Sequence, residues 1–308
     1  MLRVVVLGSG AGGGVPQWNC NCEVCTRARR GDGSVTARSQ SSIAVSADGE
    51  NWCIFNCSPD IRQQIADNAI LWPKPGQHRH TPISSVVVTN ADVDHIAGLL
   101  ILREKQGFDL YATGTVLDVL VENPIFNVLD GDYVERRPIV HDQPCEVGPG
   151  ITIEPFLVPG KVALFNEERM MAEQQSLHIG DESENTIGLE VTSAGGESLF
   201  YIPGCAAMTD GLAQRLKGAA LVLFDGTVWL DNEMVSQKLG AKTGQRMGHM
   251  SMAGEAGSMA AFAGLDVARK VFIHINNSNH VLIEGSHERQ QANDNGWEIA
   301  FDGMEIEL

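Results

Sequence analysis

Apolar residues in this chain come in short runs bounded by polar and glycine-rich turns, and the runs follow two periods. Residues 1–8 and 83–88 are β-branched and almost continuously apolar, as strands buried on both faces are. Two pairs of runs predict hairpins: 42–46 with 52–55 around Asp48-Gly49, and 186–192 with 198–202 around Gly195-Gly196. Further strands are expected at 151–158, 221–224 and 271–275, and a closing hairpin from 297–301 with 304–307. Helical spacing occurs at 61–67, 96–103, 115–122, 209–216 and 251–262. Hairpins mixed with strand–helix units are not the strict alternation of a doubly wound sheet. Two mixed sheets packed face to face with helices outside, an α/β (α+β) arrangement, fit better. No repeat, low-complexity tract or linker divides residues 1–308, so a single domain is expected.

Composition narrows the partners. The chain has 308 residues, 43% of them hydrophobic, enough for a sizeable core. Its net charge of −17 opposes nonspecific contact with nucleic acid phosphates. No apolar run approaches the ~20 residues of a membrane span, and the N-terminus lacks a signal peptide's long apolar segment and cleavage site. Seven cysteines, an odd number, suit a reducing compartment, so a cytoplasmic protein is expected. Arg27, Arg29, Arg30 and Arg38 form a basic island, readable as a solvated face or as an attractor for a carboxylate-rich substrate.

The candidate chemistry lies in loops. Cys20-Asn21-Cys22-Glu23-Val24-Cys25 spaces thiolates so that they can converge on one tetrahedral ion; closed by a fourth protein ligand, such a site is structural zinc. Thr89-Asn90-Ala91-Asp92-Val93-Asp94-His95 lies between a strand and a helix, where Asp92 or Asp94 could cap backbone N–H groups or bind metal. Gly8-Ser9-Gly10-Ala11-Gly12-Gly13 mimics a dinucleotide fingerprint, but Gly14, Pro16 and the cysteines follow in place of a helix, so the glycines are read as a tight turn beside a site. His249 precedes Ser251, which can cap a helix with Ala256, Met259, Ala260 and Ala263 on one face. His274 ends an apolar strand and by itself reads as a core histidine. Asp225 begins a turn or supplies a carboxylate. His78 and His80 belong to a surface loop, Cys53 and Cys57 read as small apolar side chains, and His141, His178, His280 and His287 have no evident partner.

The Thr89–His95 segment resembles the His-x-His-x-Asp-His ligand loop of the metallo-β-lactamase superfamily, with Asn90 and Asp92 in place of the first two histidines and Asp94 and His95 retained. The resemblance implies an αββα four-layer sandwich. It also implies loss of the first metal, because Cys205 stands where a bridging carboxylate is usual and Lys161 where another histidine is expected. His274 is similar to the superfamily's last metal-binding histidine. Superfamily phosphodiesterases with a similar cysteine run imply His249 as the fourth zinc ligand. Together with the glycine turn, Val158-Pro159-Gly160-Lys161, Gly248-His249-Met250-Ser251, His274-Ile275-Asn276-Asn277 and Phe301-Asp302-Gly303-Met304, these motifs resemble the coenzyme PQQ synthesis protein B family over the full length.

That family belongs to pyrroloquinoline quinone biosynthesis. The resemblance implies Asp94, His95 and His274 as catalytic metal ligands for Fe2+, with Zn2+ or Mn2+ able to take its place, and Asp92 or Asp225 as outer groups that orient imidazoles or move protons. The expected activity is O2-dependent hydroxylation of the tyrosine-derived ring of a small Glu-Tyr-derived precursor. The alternatives are a carrier for the cofactor or its precursor and a zinc hydrolase. The native metal and a homodimer are left open, as are roles for Cys205, Asp225 and Lys161.

Overall fold

The strand Arg3–Gly8 (β1) shows why the architecture has layers on both sides of each sheet. Val4 and Val6 pack into one core cluster and Val5 and Leu7 into another, all but excluded from solvent. A strand buried on both faces must be covered twice. The computed structural model describes residues 1–161, 163, 167 and 180–308, and these build two seven-stranded sheets.

The first sheet contains β1, β2 (Ser42–Ser46), β3 (Trp52–Phe55), β4 (Ile83–Val87), β5 (Phe108–Thr113), β6 (Val134–Ile139) and β14 (Glu305–Glu307), in the order β14-β1-β2-β3-β4-β5-β6. The second contains β7 (Cys145–Gly148), β8 (Ile151–Pro159), β9 (Glu182–Ser193), β10 (Ser198–Ile202), β11 (Leu221–Asp225), β12 (Arg269–Ile273) and β13 (Trp297–Ile299), in the order β13-β12-β11-β10-β9-β8-β7. Both are mixed: β2 pairs antiparallel with β3 and β9 with β10, whereas β3 to β6 and β10 to β13 run parallel. Between the sheets lie Phe55, Val87, Leu189, Tyr201, Leu223 and Ile273.

Helices cover the outer faces. On the first sheet, Ile61 of α2 (Ile61–Asp67) and Val116 and Leu120 of α4 (Gly114–Glu122) pack onto Ile54 and Leu110. On the second, Leu212 and Leu216 of α5 (Asp210–Leu216) and Ala292 of α8 (His287–Asp294) belong to the cluster of Phe224, Phe272 and Trp297. Thr113 and Thr209 start α4 and α5 by accepting the N–H groups of Val116 and Leu212. The helix α1 (Glu23–Arg29) and the single-turn helices α3 (Val93–Ile96), α6 (Glu233–Ser236) and α7 (Ser258–Ala261) sit in loops.

Several expectations from periodicity are corrected. The closing hairpin does not form: β13 joins β12 in the second sheet, and β14 joins β1 in the first. The chain crosses at Asp302, whose carboxylate accepts the N–H and hydroxyl of both Ser9 and Ser39. The helix over 251–262 is reduced to Ser258–Ala261, because Gly254 turns left-handed and a Cβ on Gly257 would lie 2.4 Å from the Ala253 carbonyl. The helix at 96–103 starts earlier, at Val93, and continues only as a 3-10 turn, Ala97–Leu100. The strand at 271–275 stops at Ile273, because His274 is left-handed, φ +59°. His178 lies outside the described residues.

Candidate metal centres

The loop after β4 is shaped by asparagines. Asn56 accepts the Thr89 N–H at 2.9 Å, and Asn90 Oδ1 accepts the Asp92 N–H at 2.9 Å, an Asx turn that hands the chain to α3. Asp94 and His95 therefore project from the single turn of α3. Asp92, at the N-cap position, makes no side-chain cap; its carboxylate meets Lys161 Nζ at 3.0 and 3.2 Å. Thus neither residue at the first two histidine positions offers a free metal donor: Asn90 shapes the turn, and Asp92 is ion-paired.

His274 reaches the same place from the end of β12. Its left-handed backbone costs on the order of 1 kcal/mol, and the fold holds it: Ile275 N–H donates to Ser9 O, Ala11 N–H to Ile275 O and Asn276 N–H to Thr227 O. Asp94 Oδ2 lies 3.1 Å from His274 Nε2 and 3.8 Å from His95 Nε2. Both ring nitrogens of His95 are buried without a hydrogen-bond partner, which an imidazole in the interior does not tolerate unless something else binds it. The donor set and this orphaned imidazole fit a divalent ion.

The electrostatics agree with a ligand set. Burial pushes the Asp94 carboxyl up, but the imidazoles of His95 and His274 outweigh it and hold it well below the usual carboxylate range. Burial takes His95 down to about 4, leaving a neutral ring with a lone pair at neutral pH. For His274 burial also pushes down, but the Asp94 hydrogen bond and charge win and raise it. The ligands open onto a cavity of about 410 Å3 whose walls include Gly12, Val93, Lys161, Met234, Lys242, Met247 and His249. Gly12 packs closely against this ligand: a Cβ there would touch Asp94 Oδ2 at 3.4 Å.

Behind His274 runs a polar relay. Its Nδ1 is 2.8 Å from Thr227 Oγ1, which donates to Asp225 Oδ1 at 2.7 Å. This leaves the His274 Nε2 lone pair facing Asp94. Asp225, fully buried, also accepts the N–H groups of Cys205 and Thr227 and pairs with His249 Nδ1 at 2.7 Å. Burial raises its carboxyl, but His249 and the other partners bring it below its ordinary value. Asp225 is therefore more than the start of a turn, and of the two acids expected behind the ligands it is the one that reaches the histidines. Cys205 is buried, its thiol pushed up by burial and donated to Ala207 O at 3.1 Å.

The cysteines form a second cluster, with Cys20, Cys22 and Cys25 offering sulfurs within 4.8 Å of one another. Backbone N–H groups of Gln17, Cys22 and Cys25 point at sulfurs of Cys25, Cys20 and Cys22 at 3.3, 3.4 and 3.5 Å, the last capping α1. Burial, with the neighbouring thiols, pushes Cys22 up to about 12. The expected fourth ligand is corrected. His249 is bound to Asp225 and stacks on His274 at 5.2 Å, whereas the side chain facing the sulfurs is Asn277, its amide 3.1, 3.6 and 3.4 Å from Cys20, Cys22 and Cys25. Spacing could not separate these two. Both Asn277 and Thr227 were missed, although each follows a residue singled out, His274 and Asp225, by only a few positions.

Three of the four arginines of the basic island are engaged within the protein. Arg29 donates to the carbonyls of Gln17 and Cys20, Arg27 pairs with Glu23, and Arg38 is buried against the Thr36 and Ala300 carbonyls. Arg29 thereby ties down the cysteine loop.

Comparison with known proteins identifies the fold and the family. Residues 51–275 match the family model described as a β-lactamase superfamily domain. The chain is 50% identical over 307 residues to coenzyme PQQ synthesis protein B of Methylorubrum extorquens, covering 100% of both, and 49% identical to that of Rhizobium meliloti, covering 100% of this chain and 98% of the other. Among solved structures, a zinc-bound PqqB from Methylobacterium extorquens superposes with a TM-score of 0.95 at 50% identity, over 99% of this chain and 100% of that one. A diphosphatase of the PhnP family shares the fold at 20% identity and a TM-score of 0.66, over 100% and 98% of the two chains. With two mixed sheets enclosed by helices and full-length relatives at this identity, the chain belongs to the β-lactamase superfamily and, within it, to the coenzyme PQQ synthesis protein B family.

Proposed function

We propose that this protein acts in pyrroloquinoline quinone biosynthesis as a mononuclear iron(II)- and O2-dependent hydroxylase of the tyrosine-derived ring of a small precursor, with structural Zn2+ at Cys20, Cys22 and Cys25. One observation carries the reading: two imidazoles and one carboxylate, His95, His274 and Asp94, converge at a cavity while the positions of a first metal are taken by Asn90 and the Asp92–Lys161 ion pair. When bound, iron(II) supplies a redox-active centre with positions left for O2 and substrate. Val93, Met234 and Met247 give apolar walls for an aromatic ring, and Lys242, paired with Glu167 in the structure, exchanges that partner for a substrate carboxylate. His249 gives its Nδ1–H to Asp225 and keeps Nε2 for the cavity, where it accepts a phenolic proton.

In the reaction one atom of O2 enters a ring C–H bond to give the hydroxyl, and the other leaves as water with two electrons from an external reductant and two protons from solvent. Iron(II)-loaded protein with a tyrosine-derived precursor should consume O2, and Asp94→Ala should not. Turnover unaltered in that variant overturns the assignment. Zinc-supported ester cleavage without O2 would favour a hydrolase, and saturable cofactor binding that survives loss of all three ligands would favour a carrier.

A further inference from the structure

The two clusters are joined by a tether of unusual shortness. His274 supplies an imidazole to one, and Asn277, three residues on, turns its amide to the sulfurs of the other. Everything between is enclosed: Asn276 is 9% exposed, Asn277 4% and Ser278 fully buried. The segment starts in the left-handed turn at His274, a conformation that a β-substituted residue holds only when its surroundings impose it. From the upstream side they are the Ser9–Ala11 turn and Thr227. From the downstream side they are Asn277 with the cysteines, the Cys22 thiol to Asn277 O contact at 3.2 Å, and the Asn276–Ser278–Glu233 hydrogen bonds.

We infer that Asn277 is the fourth ligand of the cysteine site, and that through it the metal held there fixes the His274 turn, so that loading the closed site raises the affinity of the open one. This rests on the metal reading of both clusters. The geometry favours Asn277: Zn–S near 2.3 Å and Zn–O of about 2.0–2.2 Å make a tetrahedron with S···O edges of roughly 3.5 Å, and the amide stands 3.1–3.6 Å from the sulfurs. Amide oxygen and nitrogen exchange places by a half-turn, which brings Oδ1 to the position that Nδ2 holds against the sulfurs. Bonds to a metal replace weak N–H···S contacts with a rigid anchor. The conformational freedom removed from residues 274–277 is then no longer lost when the second ion binds, which is positive cooperativity between the sites.

The test uses full-length protein titrated with Co2+, because thiolate-to-cobalt charge transfer in the near ultraviolet reports the cysteine site and ligand-field bands report the N/O site. Asn277→Ala should empty the cysteine site and weaken Co2+ binding at Asp94, His95 and His274 by about 10- to 100-fold, the range seen when outer partners of ligands are lost. Asn277→His should restore both, since Cys3His is an established zinc set. If Asn277→Ala keeps wild-type thiolate bands and affinity, the ligand assignment is overturned; if it empties that site while the open site stays within twofold of wild type, the coupling is overturned. Should Asn277→Ala fail to fold, linkage supplies the same measurement from the other side: cysteine-site affinity in Asp94→Ala must fall below that of wild type with its open site loaded. Equal affinities refute the coupling. Wild-type protein that shows neither signature refutes the metal reading itself.

Discussion

The cysteine cluster and the Asp94–His95–His274 cluster use neighbouring chain segments for opposite ends. The first is surrounded by Asn277, by N–H groups aimed at its sulfurs and by Arg29 on the neighbouring carbonyls, and it lines none of the cavity that the other cluster faces. The second has ligands from only one side and faces a cavity on the other. The difference is one of supply: four ligands complete a tetrahedron, whereas three leave positions free for chemistry. The hydrogen bonds are concentrated around the cysteine site and in the relay behind His274, and the cavity opens where the relay ends.

Predictions that break this contrast can be ranked. Asp94→Ala removes the only anionic ligand of the open site; metal analysis should show its ion lost and the cysteine-site zinc kept, with O2 uptake down by more than about 1,000-fold. Cys22→Ser attacks the closed site, and the expected effect on stability is larger than on chemistry: a melting temperature lower by on the order of 10 °C in calorimetry, as loss of a structural zinc implies. Asp225→Asn weakens the acceptor for both Thr227 and His249, and metal affinity at the open site should fall about 10- to 100-fold in a competition titration.

Acidity gives a gentler test. The apo pKa of His274 is raised above its ordinary value near 6.5, and a metal must displace that proton. Affinity is therefore constant above the raised pKa and falls about tenfold per pH unit below it, with one proton released per ion, measurable by calorimetry in buffers of different ionisation enthalpy. Asp94 stays ionised and His95 neutral across that range, so neither adds a second proton. A slope of two would break the assignment. The smallest effect is expected for Lys242→Ala: a several-fold higher KM for a carboxylate-bearing precursor with kcat and metal affinity unchanged, because a half-buried cation already paired with Glu167 acts on binding rather than on the reacting ring.

How far the chain could be read depended on whether a feature was local. The β2–β3 and β9–β10 hairpins were legible because Asp48-Gly49 and Gly195-Gly196 specify their turns. The β13–β14 pair was misread because alternation is the same whichever sheet a strand joins; the decision belongs to Asp302, nearly 300 residues from Ser9, to which it binds. In the site, Asp94 and His95 stood out as neighbours in a strand-to-helix loop, and His274 stood out through resemblance. His249 and Asn277 both lie downstream of the cysteines. Only the fold shows that Asp225 claims the histidine and leaves the asparagine to the sulfurs.

Asp302 also sets a timetable. It pins Ser9, Ser9 O accepts the N–H of Ile275, and Ile275 follows His274, so the glycine turn that walls the cavity is completed by a residue made after every ligand of both centres. On a ribosome adding roughly 5–20 residues per second, Cys20 to His95 emerge many seconds before their partners and must wait without closure. On the proposed metal reading, loading of the open site waits until synthesis of these segments is over, when the metal content of the surroundings rather than the order of translation sets which ion is taken.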